Sequence, residues 1–180
     1  MTSAETAYQF RHALLRDAAP LLRLGADVLR RSGRPRESEG LLTQSLARAR
    51  RAGDRLLEGR AVQELATIWR ETGRTAEAEE GFGRALAIHR EVGDRTGEAM
   101  GLANLAIVYR TMGRMAPAEE LLRGAVKLFR QMKSRRQEGV VLSNLAIVLK
   151  ITGRLPKSFT NSASADSLAL LRRARAYSPA

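Results

Sequence analysis

A spacing of 40 residues organises this sequence. Residues 54–93 and 94–133 align without a gap. Both blocks open on Asp-Arg and carry a glutamate four residues on, Glu58 and Glu98. Both pass through a Gly-Arg pair, Gly73-Arg74 and Gly113-Arg114, and then run Ala-Glu-Glu. The pair recurs at Gly33-Arg34 and Gly153-Arg154, so four copies share one period. Ser143-Asn-Leu-Ala-Ile-Val-Leu149 in the last copy mirrors Ala103-Asn-Leu-Ala-Ile-Val-Tyr109. A fixed period of this length is the mark of stacked supersecondary units.

The aligned columns have a packing logic. One column is always small: Ala26, Ala66, Ala106, Ala146. So are two others, Ser38, Ala78, Ala118, Ser158 and Ser45, Ala85, Ala125, Ala165. Small side chains let helix backbones approach. Bulky residues fill the layers between them, in the columns Leu22, Val62, Leu102, Leu142 and Leu29, Trp69, Tyr109, Leu149. Spacings of three and four put them on one helix face. The recurring glycine ends the first helix of each pair and permits the left-handed turn into its return helix.

Leu102-x-x-Leu105-Ala106-x-x-Tyr109, Gly113, Ala118-x-x-x-Leu122 and Ala125 resemble the tetratricopeptide repeat (TPR) family. The period is similar to the longer-helix variants in kinesin light chains and bacterial regulatory ATPases. The resemblance implies an all-α fold, a right-handed superhelical solenoid of antiparallel helix pairs with about four repeats. We expect an N-terminal helix over 1–18, the solenoid over 19–154, and an irregular C-terminal helix and tail over 155–180. In that last stretch Ser162 and Asp166 break the apolar columns. Tyr8 to Ala19 is similar to the segment that joins the ATPase part to the repeats in large bacterial regulators. Pro20 suits the start of the next helix, where its missing N–H costs nothing.

Composition agrees with helices. Aromatics are 4% of residues and there are five prolines, whereas sheets draw on aromatic and β-branched residues. No cysteine is present, which excludes disulfides and thiolate metal sites. The Met-Thr-Ser-Ala start does not read as a signal peptide, and the apolar stretch 139–149 is too short for a span. We therefore expect a cytoplasmic location. Net charge is +12, which suits an acidic partner or nucleic acid; a base-composition bias toward arginine codons is the competing account.

The resemblance also implies that the first helices of each pair line a groove. Projected onto those helices, the facing residues include Arg60, Glu64 and Arg70 in the second copy. In the third they include Met100, Asn104, Ile107 and Arg110, and in the fourth Val140, Asn144, Ile147 and Lys150. Arg30, Arg70, Arg110 and Lys150 form a basic column, one residue per copy. Asn104 and Asn144 stand where similar repeats use asparagine to hydrogen-bond a peptide backbone, an amide being both donor and acceptor. This points to a scaffold that binds an acidic partner peptide or protein and belongs to a signalling regulator. Nucleic-acid binding through the basic surface, or self-association through open ends, are the alternatives. Arg34, Arg74, Arg114 and Arg154 read as solvated loop residues. His12 and His89, without cysteine, do not suggest a metal centre or triad. No catalytic site and no cofactor is expected.

Overall fold

In the computed structural model, the structure describes residues 20–154. The expectations for 1–18 and 155–180, and the column members Ser158 and Ala165, lie outside these residues. All the regular structure described is helical. Helix α1 covers 20–31. It is followed by α2 (Pro35–Ala52), α3 (Arg55–Glu71), α4 (Thr75–Glu91), α5 (Arg95–Thr111), α6 (Met115–Gln131) and α7 (Arg135–Ile151). The all-α helical-repeat expectation therefore holds. Two compact units divide the chain, one through Gly101 and the other from Leu102.

The turns are more regular than the 40-residue period suggested. Residues 33, 53, 73, 93, 113, 133 and 153 all have positive φ, between 57° and 79°. Left-handed positions thus fall every 20 residues, at the end of every helix and not only of every second one. After each, the next N–H donates five residues back, as Arg74 does to the Trp69 carbonyl at 2.7 Å and Asp94 to the His89 carbonyl at 2.9 Å. This closes the otherwise orphaned carbonyls of each last turn. Six of the seven positions are glycine; the seventh is Lys133.

In the unit through Gly101, α3 packs on both α2 and α4. Ala26, Leu42, Leu65 and Ile68 form its buried cluster, with Leu41, Leu46 and Trp69 against it. The small columns are buried here as expected: Ala26, Ala66, Ser38, Ala78, Ser45 and Ala85. Ser38 keeps its place among alanines because its hydroxyl donates to the Ala26 carbonyl at 2.7 Å, so burial leaves no unmade hydrogen bond. A methyl group at Gly81 would lie 2.8 Å from both the Ala66 Cβ and the Trp69 ring; α3 and α4 approach that closely.

In the unit from Leu102, α6 packs on α7. Ala106, Ala118, Leu122, Ala125, Phe129, Val141, Leu145 and Val148 are buried. Leu142 departs from its column: Val62 and Leu102 are buried, whereas Leu142 is 39% exposed.

Ion pairs repeat with the helices. Arg50 and Arg55 both grip Glu58, and Arg90 and Arg95 both grip Glu98. Arg130 donates to Glu138 at 2.9 Å. Each joint ties a return helix to the next first helix. The arginines expected to be solvated after the turn glycines also act structurally. Arg74 bonds Glu39, 35 residues back, at 2.9 Å, and lies over the Trp69 ring. Arg154 reaches Glu119 at 2.5 Å.

Candidate functional site

The groove-facing residues named from sequence differ in how far their neighbours satisfy them. In the first unit most are engaged. Arg23 of α1 donates to Glu64 of α3, its Nε at 3.1 Å. Arg30, seven residues on, reaches Glu71 at 3.1 Å and Asp27 at 2.8 Å. Seven residues are close to two turns, so these pairs lock α1 and α3 in one register. Arg70 lies 3.5 Å from Glu71, and its Nε is buried without a partner among the described residues. Arg60 is 3.6 Å from Asp94. Met100 is 44% exposed.

The second unit differs. Asn104, Ile107 and Arg110 of α5 are half-buried, as is Asn144 of α7. Val140, Ile147 and Ile151 of α7 are 60%, 42% and 56% exposed, and Lys150 is exposed as well. Spacings of seven and four put the three aliphatics on one face of α7. Among the described residues, no side-chain hydrogen bond or ion pair engages Asn104, Arg110, Asn144 or Lys150. Aliphatic surface, amides and free cations together offer apolar, hydrogen-bonding and charged contacts on the same helices.

Residues 60–131 match the family model of the tetratricopeptide repeat. That stretch is built of tetratricopeptide repeats. Solved structures share the helical-repeat fold of the described residues. Aspartyl phosphate phosphatase F from Bacillus subtilis superposes with a TM-score of 0.77 at 10% identity, over 88% of this chain and 41% of that one. The STAND signal transduction ATPase with a tetratricopeptide repeat sensor from Pyrococcus horikoshii gives 0.62 at 18%, over 72% of this chain and 21% of that one. Podosopora anserina kinesin light chain TPR-like repeats give 0.53 at 17%, over 98% and 96%. The chain thus spans about two fifths of the phosphatase and about one fifth of the ATPase. No curated protein sequence matches it.

His89, which the sequence did not mark as a metal or triad residue, has a setting of its own. The His89 side chain is fully buried. A methyl group at Gly97 would lie 2.3 Å from its Nδ1, and one at Gly59 would lie 3.3 Å from its Cε1. Two glycines thus make the slot that the ring fills. The Asp94 carboxylate is 3.3 Å from Nδ1, without hydrogen-bond geometry, and neither ring nitrogen has a hydrogen-bond partner among the described residues. Burial pushes the imidazole pKa below its ordinary value; Asp94 opposes that shift and Arg60 adds to it. The signal in the sequence was the pair Gly59 and Gly97, each mid-helix or first-turn and 30 and 8 residues from the histidine. No cluster of three or more metal-ligating side chains occurs among the described residues, and no described helix is long and apolar enough to cross a membrane.

Proposed function

We propose that this chain is a cytoplasmic, non-enzymatic scaffold that holds a partner protein by an acidic, aliphatic-containing segment. The contact residues are Asn104, Ile107 and Arg110 of α5 and Val140, Asn144, Ile147 and Lys150 of α7. The observation that carries the reading is the contrast between the units. Glu64, at the position of Asn104 and Asn144, is held by Arg23, and Arg30, at the position of Arg110 and Lys150, by Glu71, whereas these side chains have no partner among the described residues. Exposed aliphatic surface gains by being covered. The amides suit an extended main chain and the cations suit carboxylates.

Tetratricopeptide repeats supply such interaction surfaces without catalytic groups. The fold shared with the STAND ATPase's tetratricopeptide repeat sensor supports placing the chain in a signalling regulator, as a sensor part or a free-standing relative. Arg30, Arg60, Glu64, Arg70 and Met100 then serve mainly to hold and flank the site. The test replaces Asn104 and Asn144 together by alanine. We expect partner capture from lysate to fall at least about tenfold, the loss of roughly 1.4 kcal/mol, with the helical signal and melting temperature unchanged. Undiminished capture by the double variant would sink the groove reading.

A further inference from the structure

A second surface adjoins the partner face where α6 turns into α7. Lys127 stands one turn before the end of α6, Lys133 sits in the turn, and Arg135 and Arg136 open α7. All four are exposed, and none has a carboxylate partner among the described residues. Several arginines beside other turns are neutralised, Arg34 by Glu37, Arg55 by Glu58 and Glu91, Arg95 by Glu98; what sets the α6–α7 turn apart is the density of its cations. Forty residues earlier the same four positions read Ala87, Gly93, Arg95 and Thr96, and only Arg95 is charged. The nearby Arg130 is already paired with Glu138.

The neighbourhood decides which polyanion fits. Between residues 113 and 139 no large hydrophobic residue is exposed among those described; Met112 and Val140 border that stretch, Val140 as the start of the partner face. A protein partner would need an apolar anchor there. The exposed polar neighbours are Gln131 and Gln137, which can donate to phosphate oxygens. Phe129 is buried and Tyr109 lies under Arg114, so no aromatic platform is offered to unstacked bases. Cations with hydrogen-bonding amides, and neither stacking nor apolar groups, suit the phosphate backbone of a duplex. We infer that the α6–α7 turn binds double-stranded nucleic acid, independently of sequence, through Lys127, Lys133, Arg135 and Arg136.

The test is fluorescence anisotropy with a short mixed-sequence DNA duplex across a salt series starting at about 0.05 M. Four phosphate contacts give a slope of log affinity against log salt of about −3 to −4. Changing Lys127, Lys133, Arg135 and Arg136 to Gln should abolish binding or flatten that slope. Changing Arg36, Arg48, Arg51 and Arg84 to Gln removes the same charge elsewhere and should leave both affinity and slope nearly intact. Circular dichroism checks that both variants stay folded. Equal loss in the two variants would reduce the effect to net charge and overturn the assignment. So would undetectable binding at the lowest salt. Co-sedimentation with anionic phosphatidylserine vesicles, without duplex binding, would overturn it in favour of a lipid surface.

Discussion

Lys133 holds the left-handed position that glycine takes at the other six turns. A side chain there costs about 1 kcal/mol or more, so Lys133→Gly should raise stability by about 1 kcal/mol in chemical denaturation. The same substitution removes one cation of the α6–α7 turn. Gly97 shows the opposite case. It has no room for a methyl group against the fully buried His89 ring, and Gly97→Ala should lower stability by about 1–3 kcal/mol, as overpacking does. His89 also sets a pH dependence. Its folded pKa lies below the ordinary 6.5, so the unfolded chain binds the proton more readily. Its contribution is therefore complete above about 6.5 and lost as pH falls toward the folded value. The melting temperature should drop between pH 7.5 and 5.5, and the drop should shrink in His89→Gln. None of this was legible from His89 alone, because a histidine's burial depends on which glycines face it.

At the scale of helices, the caps and joints divide in the same way. Asp54 accepts from the Leu57 N–H at 2.9 Å and Asp94 from the Gly97 N–H at 3.0 Å. The equivalent Ser134 makes no side-chain cap. Asp54→Ala should cost about 1 kcal/mol, and Ser134→Asp should gain a comparable amount, both read by denaturant midpoint. Burial disfavours ionisation of Glu58, but hydrogen bonds from Arg50 and Arg55 outweigh it and hold the carboxyl below its usual range. That joint persists until acid protonates it. The small columns were readable because residue size repeats directly in the sequence. The joints were not. Arg74–Glu39 and Arg23–Glu64 span 35 and 41 residues, and pairing over such separations depends on the register of neighbouring helices, which periodicity alone does not give. The full 20-residue turn period escaped for a simpler reason: Lys133 interrupts the glycines.

Across the whole chain, the repeat makes blocks interchangeable. Glu79 stands where Glu39 does, and Arg90 stands where Arg50 does. A second copy of residues 54–93 inserted after Gly93 would offer Trp69, Arg74 and Glu58 the same kinds of partner they already have. Nearest-neighbour stabilisation then predicts a longer chain with undiminished helicity per residue and a melting temperature no lower than the original, measurable by circular dichroism. The helical-repeat fold was legible at this scale, since it rests on columns that recur from copy to copy. The candidate face was legible only as a set of positions; which of them are already paired depends on how neighbouring helices meet. Trp69 is the sole tryptophan, and its indole donates to Glu39 at 2.8 Å beneath the Arg74 guanidinium. The chain therefore carries a built-in optical reporter of one joint, α2 against α3. Opening of that joint alone would shift the emission to the red while most of the helical signal stayed in place.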